Sequence, residues 1–411
     1  MTSKPNVTKA LNVFSIKVGM VGLGFIATLL LTRWYSTEVM GRFFWILSVA
    51  TLLSAMFRFG QENELIKQVA RSDSTEKVNI LTSKLLMLTF ILSMASVLIA
   101  YLLAQSLSHR YVSAVIVGAI TALISVIGYT LQAKGYANTQ QVILNLPRLL
   151  VTVFALGGYV VFGTHHALES LIAPAFVTGL CIALCCYMFK GFRFKASSGL
   201  LLTHKKQTIN YLFIGVSVVL MAEVATILLG AIGTPEQVAI FAVATRLAYL
   251  VIFILLAFNS VITPQFAQLY KQHKLRELIV CYQQARVYSF FIAIIMASVF
   301  YLLSKPLLAL FGEAYIHGQT VLAVLLVTQV IKVYVGSAGQ LLMMSGYAVI
   351  QRRCINMGVF VLIISCCVLI PFYGALGAAM ATLLASTVNN LLALYFVNKY
   401  LSIPFSLAKS Q

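Results

Sequence analysis

The sequence predicts an all-α polytopic membrane protein, with twelve transmembrane helices in two six-helix lobes and both termini cytoplasmic. Three observations predict it. Of the 411 residues 61% are hydrophobic and 9% charged, and the apolar residues fall in unbroken runs of about 20, the length of helix that crosses a bilayer. Arginine and lysine are biased toward alternate loops. The second half of the chain also repeats landmarks of the first, as transporters built from internal repeats do. A transmembrane β-barrel would show short alternating strands instead.

The expected spans are residues 11–34, 43–60, 81–104, 112–133, 142–163, 169–189, 209–232, 239–263, 286–310, 320–344, 354–372 and 376–397. The first lacks a small-residue cleavage site and is too long for the apolar core of a signal peptide, so it is kept as a helix. With the N-terminus inside, nineteen of the twenty-nine cations fall in inside segments, Arg286 counted among them. Only Arg33, Arg42, Arg110 and Lys305 fall outside. That bias sets the orientation. Arg58 and Lys84 sit near the inner ends of their spans and are expected to snorkel to the interface.

The halves match in detail. Glu38-Val-Met-Gly-Arg-Phe43 opens span two and Glu236-Gln-Val-Ala-Ile-Phe241 opens span eight, offset by 198 residues. Gly135-Tyr136 follows span four and Gly346-Tyr347 follows span ten; 28 residues beyond each glycine, an aromatic-Gly pair ends in Gly163 or Gly374. The polar stretches 61–80 and 264–285 are expected as amphipathic helices on the inner face. The chain then divides into a lobe at 1–189, a basic linker at 190–208, a lobe at 209–397 and a tail at 398–411. Gly19, Gly22 and Gly24 in span one, and Gly374, Gly377, Ala378, Ala379 and Ala381 near span twelve, are expected at close helix contacts. Pro147, Pro174, Pro264, Pro306 and Pro371 would kink or end their helices. Trp34, Tyr35, Phe43, Phe44 and Trp45 are expected to form an interfacial aromatic belt.

The net charge of +19 does not make a nucleic-acid binder. Its cations sit in short loops or singly inside apolar helices, and no soluble domain presents them as a face. The seven cysteines fall inside helices or in loops assigned to the cytoplasm, so disulfides are not expected. They contain no C-x-x-C, and the six histidines lack ligand spacing, so no metal site is expected.

Charges inside the spans are the candidates for function, because ionisable groups at that depth face a protein interior or a water-filled cavity. Lys17, Arg148, Arg246 and Lys332 come from four spans, two in each half. Together they can line a chamber with positive potential, for which phosphates and carboxylates are the natural ligands. The competing reading is that each is neutralised by a partner or snorkels. Glu223 is the one acid well inside a span. It and Arg246 flank the turn Gly233-Thr234-Pro235-Glu236, both on the order of 10–14 Å from the same membrane face by helical rise. They form either a buried ion pair or a carboxylate that titrates with a transport cycle, taking H⁺ or Na⁺. No other cofactor is expected.

The span-one turn and Glu38–Phe43 motif, the polar inner helix, the Gly-Tyr loop and the run Tyr373-Gly-Ala-Leu-Gly-Ala-Ala-Met-Ala381 resemble Wzx-type O-antigen flippases. These belong to the multidrug/oligosaccharidyl-lipid/polysaccharide exporter superfamily. The resemblance covers nearly the whole chain through loose patterns rather than catalytic signatures. It implies a V-shaped fold of two six-helix lobes like that of the MATE exporters, in the bacterial inner membrane. It further implies that the chain is not an enzyme but moves undecaprenyl-pyrophosphate-linked oligosaccharide repeat units from the cytoplasmic to the periplasmic leaflet by alternating access. An O-antigen polymerase and a chain-length regulator are the partners it implies. Family charges do not map one to one here, so the four cations rest on depth alone.

The nearest rival is a multidrug exporter of the same superfamily, which would favour acids in the first lobe, where this chain has Lys17 and no deep acid. A peptidoglycan-precursor flippase is also similar, but that branch usually has fourteen helices. A membrane glycosyltransferase, such as an O-antigen polymerase or ligase, would need a large outside loop for its chemistry. The outside loops here are about ten residues or shorter, and they hold no paired acids or nucleophile.

Overall fold

The computed structural model describes residues 7–70, 72, 74–103, 109–162, 168–195, 205–272 and 274–401. Among them the fold is all helical: α1 Val7–Trp34, α2 Thr37–Phe57, α3 Glu62–Ala70, α4 Thr75–Leu102, α5 His109–Ala133, α6 Ala137–Phe162 and α7 Leu168–Phe189. There follow α8 Lys205–Ile232, α9 Pro235–Lys271, α10 Leu275–Leu302 and α11 Ser304–Ala309. After a 3₁₀ turn at Glu313–Gly318 come α12 Gln319–Val335, α13 Ala338–Met344 and α14 Ala348–Leu401.

Among the described residues eleven helices are long and apolar enough to cross a membrane, and the last covers Ala348–Tyr400. It is two spans, because Gly374 breaks it with non-helical angles (φ 53°, ψ −126°). A Cβ on Gly377 would collide with the carbonyl of Leu369. Those residues would stand about 12 Å apart along a straight helix, so the chain turns back between them. The total is the expected twelve.

The chain divides into two compact units, Met1–Glu223 and Val224–Gln411. In the first, α5 is the central helix, packed by α2, α3, α4, α6 and α7. In the second, α12 takes that place, packed by α9, α10 and α14. These helices are spans four and ten, equivalent under the repeat. Such packing rests on shape, since lipid gives helices no hydrophobic reason to associate. Gly118 of α5 shows the closeness it needs: a Cβ there would lie 3.0 Å from the Leu53 Cβ and 3.1 Å from the Ala50 carbonyl.

The repeat also shows in the caps. Ser36 accepts from the Val39 amide at the start of α2 (3.4 Å). At the same offset, Thr234 and Gln237 exchange bonds across the first turn of α9 (3.3 and 3.5 Å), a capping box with Pro235 as first helical residue. Gly135 and Gly346 have φ of +88° and +85°. After each, the tyrosine amide bonds the carbonyl five residues back, Tyr136 to Leu131 (2.9 Å) and Tyr347 to Leu342 (2.8 Å). Both are Schellman C-caps, which need a left-handed residue and so favour glycine.

Several expectations are corrected. The stretch 264–285 is not a separate amphipathic helix: residues up to Lys271 continue α9, and those from Leu275 begin α10. Span nine therefore starts earlier, and Arg286 lies inside it with 1% exposure. Span ten is broken at Gly336 into α12 and α13. Gly19, Gly22 and Gly24 would each meet nothing within 4 Å on gaining a Cβ among the described residues, so no described helix of their own unit packs closely on them. Ala378, Ala379 and Ala381 are buried as expected. Phe43, Phe44 and Trp45 are buried in the protein rather than set in a belt, with Trp45 edge-on to Tyr111 at 5.1 Å. Residues 196–204 of the expected linker and 402–411 of the expected tail lie outside the described residues.

Candidate functional site

Lys17 and Arg148 belong to the first unit, on α1 and α6, which pack together. Lys17 is half-buried and Arg148 exposed. Arg148 follows Pro147, whose ring fills the space that a Cβ on Gly179 of α7 would need (2.7 Å). Pro147 and Arg148 line a small cavity of about 30 Å³ together with residues of α2, α5 and α7 including Thr51, Thr121 and Phe176. That is room for one water. The Thr51 and Thr121 hydroxyls donate to carbonyls of their own helices (2.7 Å each), so Arg148 carries the only charge among the lining residues.

Arg246 and Lys332 belong to the second unit, on α9 and α12, which also pack together. The Lys332 ammonium lies over the Tyr249 ring, 5.8 Å from its centroid. Arg246 precedes Tyr249 by three residues, so both face the same way from α9. The structure thus brings the two second-unit candidates to one side of the α9–α12 seam. Glu223 is half-buried on α8 and is the last residue of the first unit.

A cation over an aromatic ring gains up to about 2 kcal/mol, less than the several kcal/mol that desolvating an ammonium costs. No ion pair joins Lys332 to another of the described residues.

Two polar clusters escaped the sequence reading. At the α2–α3 corner the Arg58 side chain is 8% exposed, and its Nε lies 3.8 Å from Oε2 of Glu62. Its guanidinium also donates to the Ser54 hydroxyl and sits over the Tyr129 ring at 5.8 Å. Arg58 does not snorkel; the corner, with Phe59 at φ +54° and Gly60 at φ +65°, turns it inward onto α3. The i, i+4 spacing of Arg58 and Glu62 was the available signal. The second cluster surrounds Arg286, which the sequence reading counts among the inside cations and which the structure places within α10.

These features define a polytopic α-helical membrane fold built from two repeated six-span halves. The chain belongs to the polysaccharide biosynthesis protein family, whose profile matches residues 8–270. This agrees with the resemblance to Wzx-type flippases. Among solved structures, an inward-facing multidrug-resistance MATE transporter of the MOP superfamily is similar with a TM-score of 0.70 and 15% identity, covering 96% of this chain and 98% of that one. The lipid II flippase MurJ, in an inward closed conformation, is similar with a TM-score of 0.69 and 13% identity over 94% of this chain and 87% of that one. A MOP-superfamily transporter from Pyrococcus furiosus, described as having a binding pocket of reversed polarity, gives 0.62 and 15% over 96% and 95%. At these identities the likeness concerns the fold. No curated protein matches.

Proposed function

We propose that this protein is a lipid-linked oligosaccharide flippase of the bacterial inner membrane, with both termini cytoplasmic. It carries undecaprenyl-pyrophosphate-linked O-antigen repeat units from the cytoplasmic to the periplasmic leaflet by alternating access. It breaks no bond of its cargo, so it is a transporter and not an enzyme. The family and the flippase among the fold relatives support the class of cargo.

The observation that carries the reading is Lys332, held over Tyr249 with Arg246 one turn away and no acid paired with it among the described residues. An amphiphile with a pyrophosphate head supplies the missing anion. Arginine grips phosphate through two parallel hydrogen bonds and lysine as a point charge. Lys17 with Arg148, and Arg246 with Lys332, are then the phosphate-holding groups of their respective units. Glu223 is the carboxylate that couples transport to H⁺ or Na⁺. A cationic drug would gain nothing from the four cations, which disfavours the multidrug-exporter reading.

The test is genetic. Deletion of the gene is expected to abolish surface O-polysaccharide, and the native chain to restore it. Restoration by a Lys332→Ala/Arg246→Ala chain expressed at the same level would contradict the assignment.

A further inference from the structure

Helix α12 stops at Val335, which with Ala338 is fully buried in the protein, so water does not reach the carbonyls that the helix end exposes. The break is built around Gly336, whose φ of 71° and ψ of −143° are open to glycine and strained for other residues. Its amide donates to the Lys332 carbonyl (3.1 Å), closing the last turn. The carbonyls of the last two residues of α12 are met by side chains of α10. Arg286 donates from Nε to the Tyr334 carbonyl at 2.6 Å, and the Tyr282 hydroxyl donates to the Val335 carbonyl at 2.7 Å.

Tyr282 and Arg286 are four residues apart, so both project from one face of α10. Each is 1% exposed. The Arg286 guanidinium stacks over the Tyr334 ring at 4.6 Å. Its aliphatic stem lies where a side chain on residue 336 would go, 3.3 Å from the Cβ such a residue would carry. A positive group at the carbonyl end of a helix also complements the helix dipole. The glycine, the two tyrosines and the arginine thus form one joint.

We propose that Arg286 is a positioning residue for Lys332: by capping α12 at its break, it fixes the turn from which Lys332 reaches its ligand. Lys332 is four residues before the break, and its own carbonyl closes the final turn. Loss of the cap frays that turn, and the ammonium leaves its place over Tyr249. This inference rests on the reading of Lys332 as a phosphate-holding cation.

Two measurements on the full chain in nanodiscs test it. The first is amide hydrogen exchange. Arg286→Met keeps the stem but removes the donor and the charge, and is expected to speed exchange of the amides of residues 333–336 by roughly tenfold, with the other helices unchanged. Tyr282→Phe, a milder change that removes one hydroxyl, is expected to act on the same turn and less strongly. Native exchange at that turn in both variants overturns the cap.

The second is binding of geranylgeranyl pyrophosphate in a double-mutant cycle. Arg286→Met is expected to weaken binding about tenfold in the native background and not further in a Lys332→Ala background. Additive losses, with Lys332→Ala itself impaired, overturn the positioning role alone. A Lys332→Ala chain that binds the probe like the native one overturns the phosphate reading and this role together.

Discussion

Lys332 of α12 holds its ammonium nitrogen 5.8 Å from the centre of the Tyr249 ring of α9, with Arg246 one turn before that ring on the same face. The ring orients the charge without neutralising it. Lys332→Ala is therefore expected to slow movement of a pyrophosphate lipid in proteoliposomes by tenfold or more, since a charge-assisted hydrogen bond contributes about 1.5–3 kcal/mol. Unchanged transport would remove Lys332 from the site.

The Arg58–Glu62 pair makes a prediction of opposite form. With side chains 8% and 13% exposed, it is an ion pair largely withdrawn from solvent. Removing one partner leaves the other charge buried alone, at a cost of about 3–5 kcal/mol. Glu62→Ala and Arg58→Ala are each expected to lower the thermal midpoint of the purified protein, and Arg58→Met/Glu62→Leu to recover much of the loss. A double variant as unstable as the sum of the singles would show that the pair is not a unit.

Glycines give a contrast between packed and open positions. Gly118 lies against Leu53 and Ala50, whereas among the described residues nothing stands within 4 Å of a Cβ at Gly19. Gly118→Ala is expected to destabilise by about 1–3 kcal/mol through overpacking. Gly19→Ala, in the open wall of α1, is expected to stabilise by roughly 0.5–1 kcal/mol. Equal effects in thermal unfolding would contradict the placement of α1.

Coupling through Glu223 is tested by pH. If its carboxylate gives and takes a proton in each cycle, Glu223→Gln makes residual transport independent of an imposed pH gradient. If the coupling ion is Na⁺, the same variant loses its response to a sodium gradient instead. A variant that keeps native responses to both gradients leaves Glu223 outside the mechanism.

The spans and the repeat were legible in the sequence because both follow from local patterns. Apolar length sets a membrane helix, and the Gly135-Tyr136 and Gly346-Tyr347 pairs mark two C-caps of identical bond pattern. Their symmetry carries a further expectation: Gly135→Ala and Gly346→Ala each cost about 1–2 kcal/mol, the penalty of a left-handed L-residue, and by similar amounts. The break at Gly374 falls where spans eleven and twelve were expected to part. The break inside span ten was less legible, because Gly336 interrupts an apolar run whose composition does not change across it. Arg286 was missed for the same reason, since hydropathy placed the start of span nine after Tyr282 when α10 begins at Leu275. That Arg246 and Lys332 lie within apolar spans was readable. Their gathering at one helix seam depends on how α9 packs on α12, which no local pattern encodes.

If cations within the spans hold the phosphates of a lipid carrier, leaflet exchange of an undecaprenyl-pyrophosphate-linked oligosaccharide in proteoliposomes depends on them. Comparing the native chain with Lys332→Ala/Arg246→Ala reads that dependence without an intermediate step. Exchange by the native chain is expected, with its near-complete loss in the double variant while folding is unchanged. Native-rate exchange by the double variant would overturn the assignment, as would a native chain that moves a cationic amphiphile and leaves the pyrophosphate lipid in place.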